Sequence, residues 1–213
     1  VHCTILNALP DGASVLLQKP MGLTLADASA IRAVCREREL IAAVNFQLRY
    51  SPMMLAVADA IARGDLGELV EIEVHLNLVT PWHLFPHLND NPRVEMVSHS
   101  IHYLDMIRAL VGDPRSVFAR SYGHPSSPLT DTRTSAILDY GSTLRVTLSI
   151  NHHHDFGRTF QDAAFRVEGT HGAAMVKLGL LLDYPTGEAD ELWIARKGGP
   201  WAQQPLQGRW FPD

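Results

Sequence analysis

The sequence predicts an α/β segment patterned like part of a doubly wound parallel sheet, followed by an α+β domain with an open, mostly antiparallel or mixed sheet. Three observations carry that prediction. Short apolar runs alternate with helical patterns as far as Gly67. From Glu68 onward strand patterns dominate, around a single histidine-rich helix. The composition, 46% hydrophobic and 19% charged over 213 residues, suits a globular chain with a real core.

Residues 1–9 read as the tail of a helix, closed by Pro10 and Gly12. Residues 13–17 form a short apolar run between breakers, the pattern of a buried parallel strand. Thr24, with Asp27 three residues on, opens a helix by a capping box, and its apolar positions Leu25, Ala28, Ile31 and Cys35 recur at helical spacing. Residues 40–46 read as a second buried strand. Ser51 and Pro52 start the next helix, with proline where a missing N–H costs nothing, and Gly64 and Gly67 end it.

Beyond that point the texture changes, so the boundary is placed near Gly67, giving domains 1–67 and 68–213. Residues 69–79 make one long strand, followed by a loop rich in Pro, His and Asn. Residues 95–111 make a helix stopped by Gly112. Strands are expected around 117–122, 134–140 and 143–151, the last two as a hairpin turned at Gly141-Ser142. Residues 165–168 and 173–178, joined through "GTHG", form another hairpin, 191–195 a further strand, and the tail from Lys197 is irregular.

The bulk numbers exclude some functions. A formal net charge of −5 lacks the basic footprint that nucleic-acid binding needs. No apolar run approaches the ~20 residues of a membrane span. The N-terminus has neither a basic n-region nor a small-residue cleavage site, and Cys3 and Cys35 read as reduced, buried thiols. These features point to a cytoplasmic protein.

Four constellations carry potential chemistry. Gln18-Lys19-Pro20 follows the first strand, where open α/β sheets bind ligands in the crevice beyond the carboxyl ends. Lys19 there could hold a substrate hydroxyl or a cofactor ribose, or be an ordinary loop lysine. In the helix, Glu95, Ser98, His99, His102 and Met106 share one face, while Val97, Ile101, Leu104 and Val111 line the opposite, core-facing one. That first face is either an acid–base surface, a solvated polar face, or a set of core histidines. In "NHHHD", alternation sends His152 and His154 to one side and His153 to the other. With His75, His83 and His87 they could line a substrate pocket, a polar sheet face, or a metal site, although the spacing matches no zinc signature and no metal is assigned. Asn45 and Arg49 in "NFQLRYSP" end the second strand, and Arg49 could equally lie over the neighbouring helix.

The order of these segments is more informative than any one of them. Strand–Lys-Pro–helix, strand–"NFQLRYSP"–helix ending "GDLGELVEIEV", then "HSIHYLDMIRALVGDP" resembles the Gfo/Idh/MocA family of nicotinamide-dependent sugar and polyol oxidoreductases, over nearly the whole chain. The resemblance implies a Rossmann-type first domain and a substrate-binding and dimerisation second domain. The family's strand-end motif is usually Glu-Lys-Pro; here it stands as Gln18-Lys19-Pro20, which implies cofactor contacts at all three residues and a role for Lys19 beside the reacting hydroxyl. The family's Asp-x-x-x-His maps onto Ser98 and His102, making His102 the implied general acid/base while the aspartate is replaced. His99 or Glu95 is then expected to orient the substrate.

The cofactor implied is NAD or NADP, and the substrate a carbohydrate, polyol or related hydroxy compound. Its contacts are expected from Asn45, Arg49, Trp82, His83, Glu95, His99, His152 and His154. A homo-oligomer through the second-domain sheet is also implied. Family members begin with a strand and a G-x-G-x-x-G turn, yet none of the 15 glycines here has that spacing. The resemblance therefore reads the sequence as a family member without its N-terminal nucleotide-binding half and its C-terminal end. The rival expectation is a non-catalytic dimerisation or ligand-binding module.

Overall fold

The computed structural model describes residues 1–89, 91, 93–208 and 210. Asp90 and Pro92 of the Pro/His/Asn-rich loop, and Arg209 and 211–213 of the expected irregular tail, lie outside the described residues. The chain divides into two compact units, 1–46 and 47–213.

The first unit holds α1 (His2–Asn7), β1 (Ser14–Leu17), α2 (Leu25–Glu37) and β2 (Ile41–Val44). β1 and β2 pair in parallel, Ser14 opposite Ile41 through Leu17 opposite Val44. A parallel pair needs a crossover, and α2 supplies it. The Thr24 hydroxyl accepts from Asp27 N at 3.1 Å, and Thr24 N donates to Asp27 Oδ2 at 2.9 Å, so the capping box forms as expected. A small core of Leu6, Leu17 and Ile31 holds the unit, with Cys3 and Cys35 packed half-buried against it. The two strands are not the buried strands the apolar runs suggested: Leu16 is 63% exposed and Ile41 71%. Side chains alternate along a strand, so Leu17 turns into the small core with Leu6 and Ile31 while Leu16 turns to the opposite, exposed side.

The second unit begins with a 3-10 turn, Gln47–Tyr50, and α3 (Pro52–Ala62), capped by Ser51 Oγ accepting from Met54 N. The unit boundary thus falls ahead of α3 rather than at Gly67. The reason is packing. Met53, Met54 and Val57 of α3 are buried in one core with Ile72 and Val74 from the strand after Gly67.

That strand, β3 (Leu69–Asn77), runs through the middle of an eight-stranded sheet. The others are β4 (Ser116–Tyr122), β5 (Arg133–Asp139), β6 (Arg145–Asn151), β7 (Asp162–Gly169), β8 (Gly172–Lys177), β9 (Glu191–Arg196) and β10 (Ala202–Gln203). Their order is β10-β9-β8-β7-β3-β6-β5-β4. β3 pairs in parallel with β6 and every other pair is antiparallel, giving the mixed open sheet that the sequence predicted. β10 corrects the expectation of a wholly irregular tail, since Gln203 pairs with Trp193.

One face of the sheet is buried by period-two alternation: Ile72, Val74 and Leu76 on β3, Val146, Leu148 and Ile150 on β6, Phe165 and Val167 on β7. Against it lie α3 and α4 (Ile101–Val111), the latter through Tyr103, Met106 and Ile107. Burying each such side chain contributes about 1.5–3 kcal/mol, so this interface holds α4 in place. The helix is entered through a π-helical turn, Met96–Ser100. Glu95, Ser98, His102 and Met106 share a face as expected, but that face, beside the core residues Tyr103 and Ile107, looks inward and is buried, while Val97, Ile101, Leu104 and Val111 are only half-buried. The polar face expected to look away from the core is therefore part of the interior.

Candidate active site

In the first unit, Gln18, Lys19 and Pro20 follow the carboxyl end of β1, and Asn45 that of β2. Asn45 N donates to Leu17 O at 2.7 Å, extending the ladder, and Asn45 Nδ2 approaches Gln18 Oε1 at 3.4 Å. The structure thus brings Gln18 and Asn45 together beside Lys19. The Lys19–Pro20 peptide bond is cis. Burial lowers the Lys19 ammonium below its ordinary value.

The second unit gathers a polar and aromatic cluster where β3 and β6 end. Trp82 lies on a 3-10 turn, Trp82–Leu84, just past β3. Its ring meets His99 edge-on at 5.4 Å and His152 at 5.7 Å, and the two imidazoles are 4.6 Å apart. His152, one residue beyond β6, is fixed by its backbone: its N donates to Thr132 O at 3.3 Å, and its O accepts from Thr80 N at 3.2 Å. Its Nδ1 pairs with Thr80 Oγ1 at 2.7 Å.

Glu95 lies beneath this cluster, 0% exposed. Ser100 Oγ donates to its Oε1, and Thr134 adds a second hydroxyl. Glu95 Oε1 and His152 Nε2 are 3.9 Å apart, within ion-pair range. Burial nonetheless pushes each towards its neutral form. Desolvation raises the Glu95 carboxyl, and burial, helped by His153, lowers His152 to about 3. A dry site disfavours the charged form of both acid and base, so this contact is not an ion pair.

His102 is 2% exposed, with the Trp210 ring edge-on at 5.1 Å. Trp210 also packs on Tyr103 at 5.8 Å, and its N donates to the buried Asp190 Oδ2 at 2.7 Å. The Tyr103 phenol is fully buried, and desolvation first, then Glu95 and Asp190, hold it well above its ordinary value.

The remaining candidates do not join this cluster. Arg49 Nε and Nη2 bind the two carboxylate oxygens of Asp105 at 2.6 and 2.8 Å, so what the structure shows of Arg49 is a tether between the 3-10 turn and α4. This is close to the alternative of an arginine lying over the neighbouring helix. His83 is exposed on the turn beside Trp82. His154 packs against Phe156 at 5.7 Å, and His153 stacks on His124 at 4.4 Å. Among the described residues no three His, Cys, Asp or Glu side chains converge as a metal ion requires.

Sequence reading missed Thr80, Ser100, Tyr103, Thr134 and Trp210. Thr80 and Trp210 fall in segments without periodicity, so no local signal marks them. Thr134 was detectable only as an alternating strand position, whose polar partner, Glu95, is far away in sequence.

Comparison with known proteins adds four similarities. Residues 54–175 match the model of the GFO/IDH/MocA C-terminal domain. The chain is 25% identical over 186 residues to the 1,5-anhydro-D-fructose reductase of Ensifer adhaerens, covering 85% of this chain and 55% of that protein. Its fold is similar to an inositol dehydrogenase homolog from Azotobacter vinelandii, solved with NADH and myo-inositol, with a TM-score of 0.74 at 15% identity, over 97% of this chain and 52% of that one. It is similar also to the aldose-aldose oxidoreductase of Caulobacter crescentus, solved with glycerol, with a TM-score of 0.76 at 19% identity, over 98% of this chain and 61% of that one. The chain spans about half the length of these relatives. Since the family model matches more than half of the sequence, from α3 into β8, the chain belongs to the GFO/IDH/MocA family.

Proposed function

We propose that the protein containing this sequence is an oxidoreductase moving hydride between NAD or NADP and a sugar, polyol or related hydroxy compound. The observation that carries the reading is the wall of Trp82, His99 and His152, one helical turn from His102. Aromatic faces with a few placed polar groups suit a ligand that is apolar on its C–H faces and hydroxylated at its rim. The reductase and the NADH–inositol complex among the relatives support it.

For the cofactor, the first unit offers a donor set that fits: the Gln18 and Asn45 amides and the Lys19 amine at the strand ends. When bound, the nicotinamide supplies or accepts the hydride. His102 removes the carbinol proton in oxidation and returns it to the carbonyl oxygen in reduction. Lys19 donates to a substrate or ribose hydroxyl and stabilises negative charge developing there. Asn45, Arg49, His83, Glu95 and His154 complete the proposed substrate set, Arg49 through its hold on Asp105 and Glu95 from beneath the wall.

In the whole protein, His102→Asn is expected to lower kcat by about 10²–10⁴-fold while leaving NADH affinity within a factor of about two. Unchanged turnover would remove His102 from the reaction. A second reading, a non-catalytic module, has one observation in its favour: His102 lies 2% exposed beneath the Trp210 ring. Titration with NADH followed by its fluorescence separates the two, since a module of that kind gives no saturable change at millimolar cofactor.

The open sheet face is proposed to meet a second copy of the same face. A row of paired residues crosses it: Phe118, Ile137, Thr147, Glu73, Arg166, Met175 and Trp193. Its ends are apolar, and its centre holds Glu73 and Arg166 at 3.8 Å. Turned about a two-fold axis at its centre, such a row sets apolar ends against apolar ends. A cytoplasmic setting agrees with the free Cys3 and Cys35.

A further inference from the structure

The deepest polar contact of the second unit has unspent hydrogen-bonding capacity. Glu95 and His152 are 0% and 1% exposed. Among the described residues, neither Glu95 Oε2 nor His152 Nε2 has a hydrogen-bond partner. Nε2 faces Glu95 Oε1 at 3.9 Å, about 1 Å beyond bonding distance. Among the described residues, no lysine or arginine pairs with this carboxyl. The titratable groups facing it are His152 from the end of β6 and Tyr103 from α4, and His99 stands 4.6 Å from His152.

A carboxylate here would keep its charge at 0% exposure with no cation beside it among the described residues, helped only by the Ser100 hydroxyl and backbone N–H and the Thr134 hydroxyl. The protonated acid has no charge to bury, and it has an O–H to donate. His152 is its complement. With Nδ1–H donating to Thr80 Oγ1, neutral imidazole presents Nε2 as an acceptor, aimed at the acid.

We propose that Glu95 is a positioning residue acting as an uncharged carboxylic acid, whose O–H is directed at His152 Nε2 and, closing on it by about 1 Å, fixes His152 as the Nδ1–H tautomer bonded to Thr80. The consequence is orientational. His152 is flanked by the rings of Trp82 and His99, so locking its tautomer and plane sets the wall that a hydroxylated ligand would meet. That last step rests on the proposed function; the protonation and tautomer do not.

The test is ¹⁵N NMR of histidine-labelled chain, reading the two ring nitrogens of His152 between about pH 5 and 8, where ordinary histidines titrate. The expected result is a protonated Nδ1 and an unprotonated Nε2 throughout. Glu95→Gln, whose amide N–H replaces the acid O–H, is expected to keep that tautomer. Thr80→Val, which removes the acceptor on the other side, is expected to mix the tautomers, as is Glu95→Ala if it folds. An imidazolium or an Nε2–H tautomer in the unaltered protein overturns the proposal, as does a Glu95→Gln variant that mixes tautomers as Thr80→Val does. In the whole enzyme, Thr80→Val is expected to raise KM about tenfold with kcat moved less. Because the NMR reading needs no turnover, a protein inactive on every polyol would overturn the proposed function and leave this assignment standing.

Discussion

Arg49 grips Asp105 with both arms of its guanidinium fork, Nε to Oδ2 at 2.6 Å and Nη2 to Oδ1 at 2.8 Å, and Nη2 also reaches the Asp105 carbonyl at 3.3 Å. The pair joins the turn ahead of α3 to the middle of α4. Asp105 is nearly buried, whereas the Arg49 side chain is 37% exposed, so solvent screens part of the attraction. Removing the arginine strands the carboxylate. Arg49→Ala is expected to cost about 1–3 kcal/mol, between the values for exposed and buried pairs. Arg49→Lys should recover only part of it, because an ammonium cannot match the bidentate geometry. Chemical denaturation of the two variants checks this, and equal stability of Arg49→Ala and the parent would leave the tether without a role.

The buried His152 and Glu95 push the pH dependence of stability in opposite directions. Unfolded, His152 takes up a proton below its ordinary 6.5; folded, it stays neutral down to about 3. As pH falls through that window the unfolded chain gains a proton that the folded chain refuses, so stability drops by at most ~1.4 kcal/mol per pH unit. The half-buried His153, lowered by burial and then by His124 and Arg133, adds to the loss. Glu95 is raised, so its contribution is complete below the ordinary 4.5 and is lost as pH rises through its folded value. Melting temperature against pH is expected to fall on the acid side, and His152→Gln should flatten that limb. An unchanged acid limb would assign the loss to other groups.

How much of this was legible in the sequence follows from what each element depends on. The Thr24–Asp27 cap, the Ser51–Pro52 start and the hairpin at Gly141 are written in neighbouring residues, and they form where local chemistry says they should. The strands β3, β6 and β7 were readable from alternation because one face is buried and the other open. The orientation of the histidine helix was not. The spacing groups Glu95, Ser98, His102 and Met106 on one face correctly, but which face turns inward is decided by Tyr103, Met106 and Ile107 packing on a sheet formed by strands distant in sequence. Thr80, Thr134 and Trp210 were invisible for another reason: their neighbours in space lie far along the chain, and nothing local marks a residue whose value is set by a distant partner.

Gly67 turns the chain into β3 with φ at +75°, a region that side chains rarely adopt. It is also crowded, for a Cβ there would come within 2.4 Å of Thr170 Oγ1 and 2.9 Å of the His171 ring. Thr170 cannot simply move aside, because its Oγ1 accepts from Glu68 N at 3.1 Å. Backbone strain and the displaced hairpin act together, so Gly67→Ala is expected to destabilise the second unit by about 2–4 kcal/mol. Gly64 also has positive φ but open space around it. Gly64→Ala should therefore cost only the backbone share, about 1 kcal/mol, and urea denaturation of both variants measures the difference.

Phe118 and Ile137 face each other across β4 and β5 on the open side of the sheet, 77% and 54% exposed. Two large apolar side chains adjacent on an uncovered face are unusual unless something covers them. The proposed occupant is the same sheet face of a second copy, which sets them against Met175 and Trp193. Phe118→Arg places a charge where the partner's apolar end would sit, and the opposite end, around Met175, is already close to Arg166 of the same row. Like charges would then meet in the assembly while the monomer loses no core contact. Light scattering after size exclusion is expected to show a dimer or larger for the parent and a monomer for Phe118→Arg, with thermal unfolding of the variant in excess denaturant-free buffer still cooperative. A parent that is monomeric at tens of micromolar would remove the sheet face as a self-association surface.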